Sequence, residues 1–213
     1  MLDFVYLCLT LFIIIFILYL FIINIKKCPK KIKIFFSITF LLLIIRYIAM
    51  LICSLIDEQS IVYLLKEFVL INYCAVPLLA LGVSYIFLRE EDKSFDYNFI
   101  FMVILFAMYV GLILIYKVNI SIDNVFGFVI TFKNSLTPNL IYLIIIASLA
   151  VVSLLSMEKP YSNKWGMRFL TISLMISILE FVMFLGGIKI LPYPFVGEIL
   201  ILLNSYKALR TFK

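Results

Sequence analysis

Long apolar runs alternate with short charged segments along the whole chain. Seven runs stand out: Phe4–Ile25, Ile34–Ile56, Phe68–Leu88, Phe99–Tyr116, Leu140–Met157, Phe169–Ile188 and Ile190–Tyr206. A helix needs about 20 mostly apolar residues to cross a hydrocarbon core about 30 Å thick. The pattern therefore predicts an all-α fold: a polytopic membrane bundle of seven transmembrane helices, forming one domain over residues 1–213. The third run has an amphipathic lead-in from near Ile61, and Pro77 is expected to kink it. Pro192, Pro194 and Glu198 interrupt the seventh run, which places its helix start near Pro194.

The charges between the runs predict an orientation. The first, third and fifth connections and the C-terminal tail carry Lys26, Lys27, Lys30, Lys31, Lys33, Arg89, Lys93, Lys159, Lys164, Arg168, Lys207, Arg210 and Lys213. The opposite side carries only Lys66, Lys117, Lys133 and Lys189. Positive residues collect on the cytoplasmic side, so the N-terminus is expected outside and the C-terminus inside. The first run has its positive charges after it and none before it, which identifies an uncleaved anchor rather than a signal peptide. The lysines from Lys26 to Lys33 also form a patch suited to anionic lipid. The longest outer connection, Lys117–Asn139, has a β-prone centre at Val125–Phe132 that is expected to lie across the outer mouth of the bundle. Tyr97, Tyr116, Tyr142, Tyr161, Trp165, Tyr193 and Tyr206 fall near run ends, as an interfacial aromatic belt would.

Composition supports the membrane assignment and narrows the chemistry. The chain has 213 residues, 66% hydrophobic and 14% charged, against about 25% charged in a soluble domain. Its +6 charge is explained by the loops, so nucleic acid is not implied. The Ile, Lys, Asn and Tyr content suggests a prokaryotic cell membrane. The chain has no histidine, which excludes His-dependent triads and His-ligated metals or haem. Cys8, Cys28, Cys53 and Cys74 form no C-x-x-C pair, and no phosphate-binding glycine motif occurs. Every Asp falls outside the runs, and Glu90-Glu91 lies in the charged segment Arg89–Asp96. Neither pattern suits an intramembrane protease. No enzyme activity, cofactor or metal is expected.

Ionisable residues inside a span are costly and mark functional positions. Arg46, Glu180 and Glu198 qualify, at about 18, 16 and 12 Å from the inner face for a rise of about 1.5 Å per residue. Each continues a line of polar or small residues, such as Thr39, Arg46 and Cys53, or Ser173, Ser177 and Glu180. Asn72 lies nearer the outer face in the third run. These residues predict a central polar cavity, open outward, in which Arg46 meets Glu180 or Glu198. One carboxylate is then in surplus, to hold a proton or a cationic group.

Two stretches resemble the seven-helix sensory region found at the N-terminus of some bacterial histidine kinases and diguanylate cyclases. In Glu67–Leu88 (EFVLINYCAVPLLALGVSYIFL) a mid-helix Pro77 is followed eight residues later by Tyr85. In Ile178–Arg210 (ILEFVMFLGGIKILPYPFVGEILILLNSYKALR) a polar residue and a short outer turn precede a last helix ending in small and basic residues. The resemblance implies an N-out, C-in sensor acting on a cytoplasmic signalling protein or within a homo-oligomer. With no kinase or cyclase sequence after Lys213, it implies a stand-alone sensor, a partner subunit or a truncated one. The expected function is a receptor-like or accessory module binding a small or lipid-like ligand from outside. The alternative is a small transporter or the substrate-binding subunit of one, for which a pair of broken helices would argue.

Overall fold

The computed structural model describes residues 2–56, 58–88, 95–123, 125–188 and 191–212. Asp57, Arg89, the Glu90-Glu91 pair, Lys93, Lys189, Ile190 and Lys213 lie outside these. The chain is a multi-pass membrane helical bundle. Its helices are α1 (Leu2–Lys27), α2 (Lys30–Leu55), α3 (Gln59–Val69), α4 (Asn72–Leu88), α5 (Asp96–Ile115), α6 (Leu136–Ser156), α7 (Lys164–Leu185) and α8 (Val196–Leu209). A hairpin of β1 (Val118–Asp123) and β2 (Gly127–Phe132) joins α5 to α6.

Among the described residues, six helical segments are long and apolar enough to cross a membrane: α1, α2, the joined α3–α4 stretch Gln59–Leu88, α5, α6 and α7. The sequence predicts seven. The difference lies in the last run, where α8 has 14 residues. That gives about 21 Å of helix, short of a core about 30 Å thick. Pro192 and Pro194 have no N–H to give a helix, so Leu191–Phe195 stays irregular and α8 starts at Val196. The third run also differs. Its helix passes through Pro77, and the interruption falls earlier, at Leu70–Ile71 between α3 and α4.

Helix directions follow from named bonds. Glu180 of α7 meets the start of α8, while Asn204 near the end of α8 donates to Ser173 Oγ (2.7 Å), about two helical turns before Glu180 on α7. The two helices are therefore antiparallel, and α8 begins at the level of Glu180, inside the end of α7. Similar polar ties join other neighbours. Asn24 Nδ2 donates to Lys33 O (2.9 Å) and Ser37 Oγ (3.0 Å), fastening α1 to α2. Thr171 Oγ1 donates to Ser153 Oγ at 3.0 Å between α7 and α6. Interhelical hydrogen bonds of this kind help hold bundles where no hydrophobic force separates helix from lipid.

β2 forms within the stretch Val125–Phe132 expected to be β-prone, while its partner β1 lies ahead of that stretch. The two pair antiparallel from Val118 with Phe132 to Asp123 with Gly127. Phe128, Ile130 and Phe132 point into the bundle and are buried, so β2 covers one end of it face down. Gly127 has φ +75, and a Cβ there would come within 3.1 Å of the Cys53 carbonyl oxygen. The ends of the bundle are thus a hairpin end and a lysine-rich end, the latter carrying Lys26–Lys33.

The aromatic belt needs a correction. Tyr97, Tyr161 and Trp165 are exposed as expected, but Tyr142 and Tyr193 are buried. Their distance from a run end is that of belt residues, yet both turn inward. The ring of Tyr142 packs 4.7 Å from Phe181 and 5.4 Å from Tyr73.

Close helix approach sets a testable limit. A Cβ on Gly197 would lie 2.5 Å from both Cα and Cβ of Ser177, and backbone cannot give way as a side-chain tip does. Gly197→Ala is expected to force α7 and α8 apart and lose about 1–3 kcal/mol. Gly111→Ala, where nothing lies within 4 Å, serves as the near-neutral comparison. Thermal unfolding of both variants in detergent measures the difference; equal midpoints would refute the close packing.

Candidate functional site

α2 carries Arg46 and Tyr47 towards the centre of the bundle on its buried face. α8 places Glu198 in its first turn. Arg46 Nη1 donates to Glu198 Oε2, forming an ion pair with both side chains almost fully buried. The Tyr47 hydroxyl donates to the same carboxylate oxygen. Arg46 Nε donates to the Val69 carbonyl (3.2 Å), the last residue of α3, just before the interruption. The guanidinium also lies 5.0 Å from the centre of the Tyr47 ring. One arginine therefore holds a helix end and a helix start together. Arg46 Nη2 and Glu198 Oε1 are buried and make no hydrogen bond among the described residues.

Glu180, the other candidate partner, is differently engaged. Its Oε1 accepts from the backbone N–H of Phe195 (2.8 Å) and Val196 (2.9 Å), and its Oε2 from Gly197 (2.8 Å). The first four N–H groups of a helix have no intrahelical partner. A carboxylate from α7 supplies three of them, and the positive end of the α8 dipole favours its charge. The surplus carboxylate is thus a helix cap. The arrangement of paired Arg46 and Glu198 beside a capping Glu180 was not decidable from depth, because all three lie near mid-core.

Asn72 starts α4 and lines a small polar cavity of about 100 Å³ at the hairpin end. Leu70, next to the carbonyl that Arg46 holds, lines it as well. The cavity is walled by amide and hydroxyl side chains, including Tyr73, Thr131, Asn139 and Tyr193, together with aromatic rings. Neither Arg46 nor Glu198 lines it, so the ion pair lies packed beside the cavity and not inside it. The Tyr73 hydroxyl donates to Asn139 Oδ1, tying α4 to α6, and the Ile130 N–H donates to the Tyr193 hydroxyl (2.8 Å). A second space of about 380 Å³ shares Thr131 and Phe184 with the first and reaches Asp123 of the hairpin.

Tyr47, the Val69 carbonyl, Tyr73, Asn139 and Tyr193 complete the site and were missed in the sequence. Tyr47 could have been found as the neighbour of a buried arginine. The Val69 carbonyl carries no side-chain signal, and Asn139 sits at a run boundary. Among the described residues, no group of three or more His, Cys, Asp or Glu is placed to hold a metal ion. No protein-family model matches the chain, and no curated protein is significantly similar to it in sequence.

The ion pair gives a double-substitution test. Glu198→Leu leaves a buried guanidinium uncompensated, which costs about 3–5 kcal/mol. Arg46→Met combined with Glu198→Leu removes both charges and is expected to recover most of that loss. Detergent unfolding of the single and double variants measures the coupling. A double variant as unstable as the sum of its singles would sink the pairing.

Proposed function

We propose that this chain is a receptor-like module of a prokaryotic cell membrane. It takes up a small, neutral, polar ligand at the hairpin end and acts on a partner through α8, without chemistry of its own. In this reading the chain crosses the bilayer seven times, with Leu191–Phe195 and α8 completing the seventh crossing. The hairpin lies outside, and the lysine-rich end lies in the cytoplasm, as the loop charges favour.

One observation carries the reading: the walls of the polar cavity include Tyr193 and Pro194, which lead directly into the first turn of α8. A third space, of about 320 Å³, borders the other side of the same segment and reaches Glu180. Tyr193 and Pro194 therefore border both spaces, just ahead of a helix start. A ligand filling the polar cavity bears on this segment. The effect passes to the Glu180 cap, the Arg46–Glu198 pair and the length of α8. The lining combines amides and hydroxyls with Leu70, Ile130, Pro194 and aromatic rings, and has no charged side chain, which suits a neutral ligand with donors and acceptors beside some apolar surface. Its volume is comparable to a few water molecules at about 30 Å³ each, so the ligand is small or the segment moves to admit it.

The transport reading has support of its own. α3 ends and α8 begins inside the bundle, with charged side chains at both sites. Discontinuous helices of this kind surround the substrate in many secondary transporters. The two readings differ in access. In a cysteine-free background, a single cysteine at Thr131 is expected to react with a membrane-impermeant thiol reagent from the hairpin side of intact vesicles. One at Thr39, on the lysine-facing side of Arg46, is expected to stay unreactive from the opposite side. Labelling of Thr39→Cys from the lysine-rich side would replace the receptor by a transporter. Absence of labelling at Thr131→Cys from the hairpin side would overturn the outward-opening site.

A further inference from the structure

α5 packs on α4, and α6 packs on α4 and α7, but α5 and α6 hardly touch. The gap between them is a cleft of about 760 Å³ floored by α4. This lies within the range of about 300–1,000 Å³ common for small-molecule sites. Its walls are mostly aliphatic and aromatic, and it is confined to the lysine-rich half. On α5 it runs from Tyr97 to Leu105, and on α6 from Ile145 to Val152. Eight residues of helix make about 12 Å, close to the depth of one leaflet of a core about 30 Å thick. Ile104 and Val152 on its rim are more than half exposed. Since α5 and α6 are spanning helices, the cleft opens sideways into hydrocarbon and not into water.

The cleft has one polar end. Asn98 lines it two residues into α5, is only 7% exposed, and its Nδ2 makes no hydrogen bond among the described residues. A buried amide donor of this kind costs free energy unless an acceptor meets it. The same end is fastened to the basic turn: Lys31 Nζ lies 2.7 Å from Asp96 Oδ2, at the first residue of α5. That bond brings the turn carrying Lys26, Lys27, Lys30, Lys31 and Lys33 alongside the mouth of the cleft. Hydrocarbon below, an orphan donor at the interface and a positively charged rim form the three layers that a phospholipid presents in reverse.

We propose that this cleft binds one acyl chain of an anionic phospholipid from the lysine-side leaflet. Asn98 Nδ2 donates to an ester or phosphate oxygen, and the lysine turn holds the headgroup. The site is separate from the hairpin-end cavity and does not depend on its function. It turns the surface patch of lysines into the outer part of a shaped site.

The test uses the full chain in detergent, with native mass spectrometry and thermal unfolding after addition of phosphatidylglycerol or phosphatidylcholine. The wild type is expected to retain phosphatidylglycerol in preference to phosphatidylcholine and to gain thermal stability from it. Ser148→Phe places a ring in the cleft from an exposed position and is expected to abolish retention while leaving the lipid-free unfolding midpoint unchanged. Asn98→Leu, which removes a hydrogen bond to an ester or charged oxygen, is expected to weaken retention about tenfold. Equal retention of the two lipids would overturn the proposal, as would retention that survives Ser148→Phe. A wild-type dimer that retains no lipid and is lost in Ser148→Phe would assign the cleft to a second copy of the chain instead. If Ser148→Phe fails to fold, Asn98→Leu and the lipid preference decide alone.

Discussion

Backbone groups inside hydrocarbon have no water to bond with, so a helix that ends or begins there depends on other parts of the protein. This chain has two such ends close together, the close of α3 at Val69 and the start of α8 at Val196. Arg46 takes the exposed carbonyl of the first. Glu180 takes three exposed N–H groups of the second. Glu198, in the same first turn, neutralises the arginine. The three charged side chains are thus the connectors that let two interrupted helices exist at this depth. Through them α2, α3, α7 and α8 share one junction, and the rest of the packing is arranged around it.

The junction is also linked to the hairpin. Phe195, the residue before α8, stacks on Tyr47 with ring centres 6.1 Å apart and meets Tyr6 edge-on at 5.8 Å. Two residues earlier, Tyr193 accepts the Ile130 N–H of β2. A short chain of contacts thus joins the cover of the bundle to its buried charges. The opposite end is built differently. There α5 packs mainly on α4, and the gap between α5 and α6 faces lipid. One end is polar, knitted together and covered; the other carries a charged rim and an apolar cleft open at the side.

The spans were legible because an apolar run of helix length has few alternatives. Arg46 and Glu198 were legible because a charge inside such a run has to be paired. What the run could not reveal was which glutamate pairs. Glu180 and Glu198 have similar depth and lie on similar stripes, and only the true start of α8, set by Pro192 and Pro194, separates a cap from an ion-pair partner. Tyr142 and Tyr193 misled for a related reason: distance from a run end says nothing about the direction of a side chain. β2 was visible as a β-prone stretch because Val125–Phe132 is rich in β-branched and aromatic residues, but its pairing with Val118–Asp123 was not. The α5–α6 cleft had no sequence signal. Both helices are apolar all round, so periodicity does not specify which face meets protein and which meets lipid.

The shortness of α8 bears on how the protein is made. Fourteen residues with a carboxylate in the first turn are a poor candidate for insertion by hydrophobicity alone. The groups that make α8 acceptable in the membrane, Arg46 on α2 and Glu180 on α7, both precede it in the chain. Each partner is therefore synthesised before the segment that needs it. α8 can then enter a site already formed by its neighbours, and the order of translation is also the order in which the charges become tolerable.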